Sequence, residues 1–171
     1  MPGLVLALRP GELSGPGIPI LSELTWRLPV VFSASFIGGP LLTRFVEAGA
    51  LNLHVGIAPE YRGSAPNFWA LHDGNEHLVG AQIQRLGALL DGGEILHEVT
   101  PKRFSGYDPF DFGMAAVAAG IRAMVEILGR DPGTLGAMRP NDPAKLIRYA
   151  RHADFTEAIA EEYLAKVGPP P

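Results

Sequence analysis

The sequence predicts an α/β domain with a mostly parallel sheet, and three observations lead there. Pro29-Val30-Val31-Phe32-Ser33-Ala34 is a β-branched and aromatic run, the mark of a strand buried on both faces. Further strand-like runs alternate with helical stretches along the chain. Pro and Gly punctuate the helices, as where Pro40 opens one and Gly49 closes it.

Taken in order, Leu4–Leu8 is a short apolar run compatible with a strand. Residues 9–19 hold a turn former at most positions, which neither propagates a helix nor holds a central strand. Residues 1–27 are therefore expected to be an irregular N-terminal segment and residues 28–167 the domain. After the first strong strand and the Pro40–Gly49 helix, Ala50–Val55 reads as a strand. Asn67–Asp73 reads as a helix stopped by Gly74. Val79–Leu86 and Glu94–Val99 read as two further strands separated by the Asp91-Gly92-Gly93 turn. A long helix is predicted over Pro109–Leu128, rich in Ala, Met, Val and Ile, with Gly129 as its stop. Asp154-Phe155-Thr156-Glu157 resembles a capping box opening a final helix to Lys166. The closing Gly-Pro-Pro-Pro reads as a frayed tail.

Composition bounds the function. A chain of 171 residues is the size of one domain and can bury ~70% of its unfolded surface without a staple. With no Cys, a disulfide framework and any thiolate metal site or nucleophile are excluded. Lys and Arg number 14 against 18 Asp and Glu, a net charge of -4. That balance argues against unspecific nucleic-acid binding through a basic field, and no DNA partner is expected. No apolar run reaches ~18 residues, so no membrane span is expected. The N-terminus lacks the pattern of a signal peptide, and a cytoplasmic location is the expectation.

Polar residues of interest lie between Leu51 and Leu96. Asn52 and His54 stand two apart on a predicted strand, so they share a face at its carboxyl end, where open α/β sheets place their sites. An amide and an imidazole aimed together can donate to an oxygen that becomes negative during acyl transfer. Asp91 sits beside two glycines that allow positive φ and close backbone approach. A carboxylate beside an imidazole orients it and moves protons. The loop Pro59–Pro66 presents Tyr61, Arg62 and Gly63, and Arg62 could grip a phosphate or carboxylate. Each has a plainer reading: a polar strand end, an ordinary Asp-Gly turn, a solvated loop Arg. His72, His77 and His97 have no metal-ligand spacing, and His152 sits in a basic stretch with Arg148 and Arg151. Surface roles are expected for all four, and no metal.

The combination carries more than its parts. Asn52-Leu-His54, then Pro59-x-Tyr61-Arg62-Gly63-x-Ala65-Pro66, a helix with Trp69, a strand from Gly80 and Leu90-Asp91-Gly92-Gly93 resembles the formyltransferase family over residues 28–100. That family includes enzymes acting on methionyl-tRNA, glycinamide ribonucleotide and sugar-nucleotide amines. The resemblance implies a Rossmann-like α/β fold and formyl transfer from 10-formyltetrahydrofolate to an amine, with Asn52, His54 and Asp91 as the catalytic trio. It places the folate co-substrate against Ser35, Phe36 and Ile37 on one side and Leu86, Leu89 and Leu90 on the other. Tyr61, Arg62 and Gly63 fall on the substrate loop.

There are departures from the family pattern. Val55 replaces the usual Pro, Ile57-Ala58 replaces Leu-Leu, and Gln82 stands where Thr is common. The N-terminal half of the family's sheet is expected to be largely missing, and a homo-oligomer is one way to complete it. Arg148–Thr156 is similar to a C-terminal segment of sugar-type members, whereas the β-barrel of the methionyl-tRNA enzymes has no counterpart. The expected acceptor is a small-molecule amine, an amino sugar linked to a nucleotide. Three alternatives stand beside it: a formyltetrahydrofolate hydrolase, a methionyl-tRNA formyltransferase-like protein, and an inactive remnant serving as an interaction module.

Overall fold

The structure, a computed structural model, describes residues 9, 11–14, 21, 24–102, 108–130 and 135–167. The Leu4–Leu8 run, much of residues 9–19 and the C-terminal tail lie outside these residues. The elements are β1 (Val30–Phe32), α1 (Gly39–Glu47), β2 (Leu51–His54), β3 (Tyr61–Gly63), α2 (Pro66–His72), β4 (Ala81–Arg85), β5 (Ile95–Val99), α3 (Pro109–Leu128), β6 (Arg148–Ala150) and α4 (Glu157–Val167).

The α/β class holds. Four strands form one sheet in the order β1-β2-β4-β5, and β3 pairs with β6 in a second. β1 and β2 run parallel across the α1 crossover, with Val30 opposite Leu51, and β3 and β6 are parallel too. β2–β4 and β4–β5 are antiparallel. Parallel pairing thus accounts for two of the four strand pairs among the described residues. β4 and β5 are joined by a turn rather than a helix, which makes antiparallel neighbours.

Local chemistry accounts for the boundaries. Pro40 lies in the first turn of α1, where a missing N–H costs nothing, and Gly49 takes φ +68 just past its end. Asp108 caps α3 by accepting from the Phe110 N–H at 2.7 Å. The cap of α4 differs from expectation. Thr156, not Asp154, bonds the Ile159 N–H, at 3.3 Å, while the Asp154 carboxylate turns back to the Arg151 N–H at 2.7 Å. β1 differs as well: only Val31 is buried, with Val30 and Phe32 exposed, because β1 is an edge of its sheet.

The core divides along the chain. Leu51, Leu53, Ala81 and Ile83 of β2 and β4 pack against Ala123, Met124 and Ile127 of α3. Gly120 permits this close approach, since a Cβ there would lie 2.7 Å from that of Ala81. Tyr61, Phe68, Trp69, Phe112, Ala116 and Tyr163 form a second cluster under β3 and β6. Arg148 fastens β6 to the end of α2, bonding both oxygens of Asp73 at 2.8 and 2.9 Å and stacking 4.5 Å over Trp69. Burial alone would raise the Asp73 pKa, but the bonds from Arg148 and His72 outweigh it and hold the carboxyl below its ordinary value.

Candidate active site

The two-residue period of β2 puts Asn52 and His54 on one face, and both line a cleft of about 1010 Å³. Asp91, from the turn between β4 and β5, lines the same cleft. Its Oδ1 lies 3.2 Å from His54 Nδ1, and its Oδ2 accepts the Gly63 N–H at 3.1 Å. His54 Nε2 lies 3.1 Å from the Tyr61 carbonyl oxygen. Both ring nitrogens face acceptors, so a ring carrying two protons donates at both positions and a neutral ring at one.

The Asp91 turn is built differently from expectation. Asp91 itself takes the left-handed conformation, φ +49, a strained choice for a residue with a Cβ. The neighbouring glycines serve by close approach. A Cβ on Gly93 would sit 1.8 Å from the Arg85 carbonyl oxygen. Two residues hold the strained turn. Arg62 is buried beneath it and donates through Nη2 to the Leu90 carbonyl. Asn141 donates through Nδ2 to the Asp91 carbonyl at 2.9 Å and also lies 3.2 Å from Gly93 O and 3.3 Å from Gln84 Oε1.

Burial by itself would raise the Asp91 pKa. The bond to His54, the charge of that ring, the Gly63 N–H and the Arg62 guanidinium together outweigh burial and hold the carboxyl below its ordinary 3.8. A carboxyl with a depressed folded pKa stabilises the native state fully above its unfolded value, and the contribution is lost as pH falls through the folded one. The thermal midpoint of the protein is therefore expected to fall more steeply below pH ~4 than that of Asp91→Asn. Parallel pH profiles for the two proteins would show that Asp91 carries no such linkage.

The other expected site residues divide. Ser35, Phe36, Ile37, Leu86, Leu90 and Gly63 line the cleft, whereas Leu89 does not and lies over Gly92. Tyr61 and Arg62, read as presented by a loop, are carried instead by β3, which pairs with β6, and neither lines the cleft. Tyr61 is 1% exposed and bonds Asp73 and Asn75 through its hydroxyl. Gln82 fixes the chain leading into β3, clasping the N–H and C=O of Ala58 at 3.1 and 2.7 Å. Of the histidines assigned to the surface, His72 is half-buried against Asp73 and Trp69, and His152 lines the cleft with Tyr149 and Arg151. The sequence carries no signal for Asn141, and it presents Arg151 and His152 only as part of a basic stretch, with a surface role for His152, rather than as cleft residues. They follow the last long helix, and nothing in their spacing announces that β6 brings them back.

The cleft combines apolar walls with free backbone polar groups. Phe36, Leu86 and Leu90 supply apolar walls, and Gly87 and Ala88 offer backbone groups that no hydrogen bond among the described residues uses. Among the described residues no cluster of His, Asp or Glu is placed to hold a metal ion, and no helix is long and apolar enough to cross a membrane.

The sequence profile described as formyl transferase matches residues 29–128. The methionyl-tRNA formyltransferase of Acidobacterium capsulatum is 32% identical over 124 residues, 67% of this chain and 39% of that protein. The chain thus spans well under half the length of that relative. In structure the chain is similar to a 4-N formyltransferase from Francisella tularensis, with TM-score 0.62 and 18% identity, over 85% of this chain and 63% of that one. It is also similar to the formyltransferase PseJ from Anoxybacillus kamchatkensis, solved with a UDP-linked formamido sugar and tetrahydrofolate. There the TM-score is 0.53 and the identity 20%, over 80% of this chain and 67% of that one.

Proposed function

Since the chain belongs to the formyl transferase family, we propose that it moves a formyl group from 10-formyltetrahydrofolate to the amine of an amino sugar linked to a nucleotide. The observation that carries this reading is the convergence of Asn52, His54 and Asp91 on one cleft, with Asp91 paired to His54. The folate supplies an activated one-carbon acyl group, held between Phe36 with its neighbours Ser35 and Ile37 and the Leu86–Leu90 side. Asn52 donates to the formyl oxygen as the amine attacks and that oxygen becomes negative, and His54 joins it by exchanging the Tyr61 carbonyl at its Nε2 for that oxygen. Asp91 holds His54 by its Nδ1 and takes up the proton that the attacking amine loses, handing it to the departing folate nitrogen. Gly63 positions Asp91 through its N–H. Arg62 acts beneath the Asp91 turn rather than on the substrate.

A second acceptor, methionyl-tRNA, is favoured by the name of the Acidobacterium relative. The test follows tetrahydrofolate release from 10-formyltetrahydrofolate with no amine, with a panel of amino-sugar nucleotides, and with charged methionyl-tRNA. Release that depends on an amino-sugar nucleotide supports the reading. Release with tRNA alone assigns the second acceptor, and equal release without an amine assigns a hydrolase. No folate binding at all would sink every enzymatic reading.

Asn141→Ala should lower turnover by about tenfold while costing about 1 kcal/mol of stability, since it removes the amide that donates to the Asp91 and Gly93 carbonyls of a strained turn. Turnover and denaturant midpoint measured on one preparation check this, and full activity would show that the turn holds without the amide.

A further inference from the structure

We propose that Tyr149, Arg151 and His152 form an anion-binding wall of the cleft and hold a phosphate of the amine substrate. This rests on the formyl-transfer reading and names the part of the acceptor that the site grips.

Placement comes first. β6 lies parallel to β3 with Ala150 opposite Gly63, the residue whose N–H anchors Asp91. That register delivers Tyr149, Arg151 and His152 to the lining of the cleft that Asn52, His54 and Asp91 share. The wall comes from the β3–β6 sheet, whereas the residues matched to the folate ring follow β1 and β4.

Charge comes second. The chain carries a net charge of -4, yet the charged and titratable groups lining the cleft are mostly cationic or able to become so: His54, Arg85, Arg151 and His152. The one carboxylate there, Asp91, is already paired with His54. Arg85 is engaged by the Gly49 carbonyl at 2.6 Å. Arg62, the cation expected to grip an anion, lies beneath the Asp91 turn. The Arg151 guanidinium makes no hydrogen bond or ion pair among the described residues.

Preorganisation comes third. The Arg151 backbone is fixed by the bond of its N–H to Asp154 and by the turn His152–Asp154 that follows. The nearby Asp154 carboxylate is therefore occupied with backbone rather than with the guanidinium. A planar guanidinium matches two phosphate oxygens at once, and the half-exposed Tyr149 ring beside it is a platform for a base or sugar.

Folate also carries an anionic group, its glutamate carboxylates, so the experiment separates the two sources. Titration calorimetry on the full chain measures uridine diphosphate and folinic acid binding to the unaltered protein, Arg151→Gln and His152→Gln. Both side chains are exposed, so the thermal midpoints are expected to stay within about a degree of the parent. Arg151→Gln should weaken uridine diphosphate by about tenfold, His152→Gln by less, and neither should change folinic acid binding. Equal uridine diphosphate affinity in the parent and Arg151→Gln would overturn the inference. So would loss of folinic acid alone, which would assign the wall to the glutamate tail. A parent that binds folinic acid but not uridine diphosphate refutes this inference and leaves formyl transfer standing. One that binds neither refutes both.

Discussion

His54→Ala and Asp91→Asn should each lower formyl transfer by roughly two orders of magnitude or more, with the chain still folded. His54 is the side chain paired with Asp91, at 3.2 Å, and without it the oxyanion loses a donor and Asp91 the ring that positions it. Asp91→Asn keeps the shape and the capacity to accept the Gly63 N–H but removes the charge that orients the imidazole and takes up the proton. Burial sets a side condition. His54→Ala opens a small cavity and leaves Asp91 with one partner fewer, so a stability loss of about 1–3 kcal/mol should accompany it. Circular dichroism and turnover on the same samples separate the two effects. Activity within a few-fold of the parent in either variant would remove the trio from the chemistry.

Gly63→Ala should have the largest effect on stability, about 3 kcal/mol or more. Gly63 takes φ +88, and a Cβ there would stand 2.0 Å from the Ala150 carbonyl oxygen of the neighbouring strand. Backbone cannot yield as a flexible side-chain tip does, so β3 and β6 must part. The damage reaches the site, because the Gly63 N–H holds Asp91 and β6 carries the cleft wall. Gly136→Ala is the control: no atom of the other described residues, its chain neighbours aside, lies within 4 Å of its added Cβ, and its effect should stay within about 0.5 kcal/mol. Similar denaturant midpoints for the two variants would mean that the β3–β6 contact is loose in solution.

What could be read from the chain and what could not follows a physical division. β2, α1 and α3 carry their signals locally, in apolar runs bounded by Pro and Gly, and they stand where the sequence predicts. Asn52 and His54 share a face because strand geometry demands it. The Asp91–His54 contact was reached through the family resemblance rather than through spacing. β3 escaped notice because three residues in a turn-rich stretch carry no periodicity, and its partner β6 begins 85 residues after Gly63. That long-range pairing buries Tyr61 and Arg62, which composition alone presents as a gripping loop. It also makes Arg151 and His152 part of the cleft. Asn141 shows the same limit, since an amide in a Pro-rich segment signals nothing until the Asp91 turn is folded beside it.

The central claim is that Asn52, His54 and Asp91 transfer a formyl group to an amine held in this cleft. Mass spectrometry of a UDP-linked amino sugar incubated with 10-formyltetrahydrofolate and the protein tests it most directly. The predicted result is a formamide product, heavier by one carbonyl group, that forms with the parent chain and is lost with Asp91→Asn. Product formed equally by Asp91→Asn, or folate consumed with no formylated amine, would contradict it.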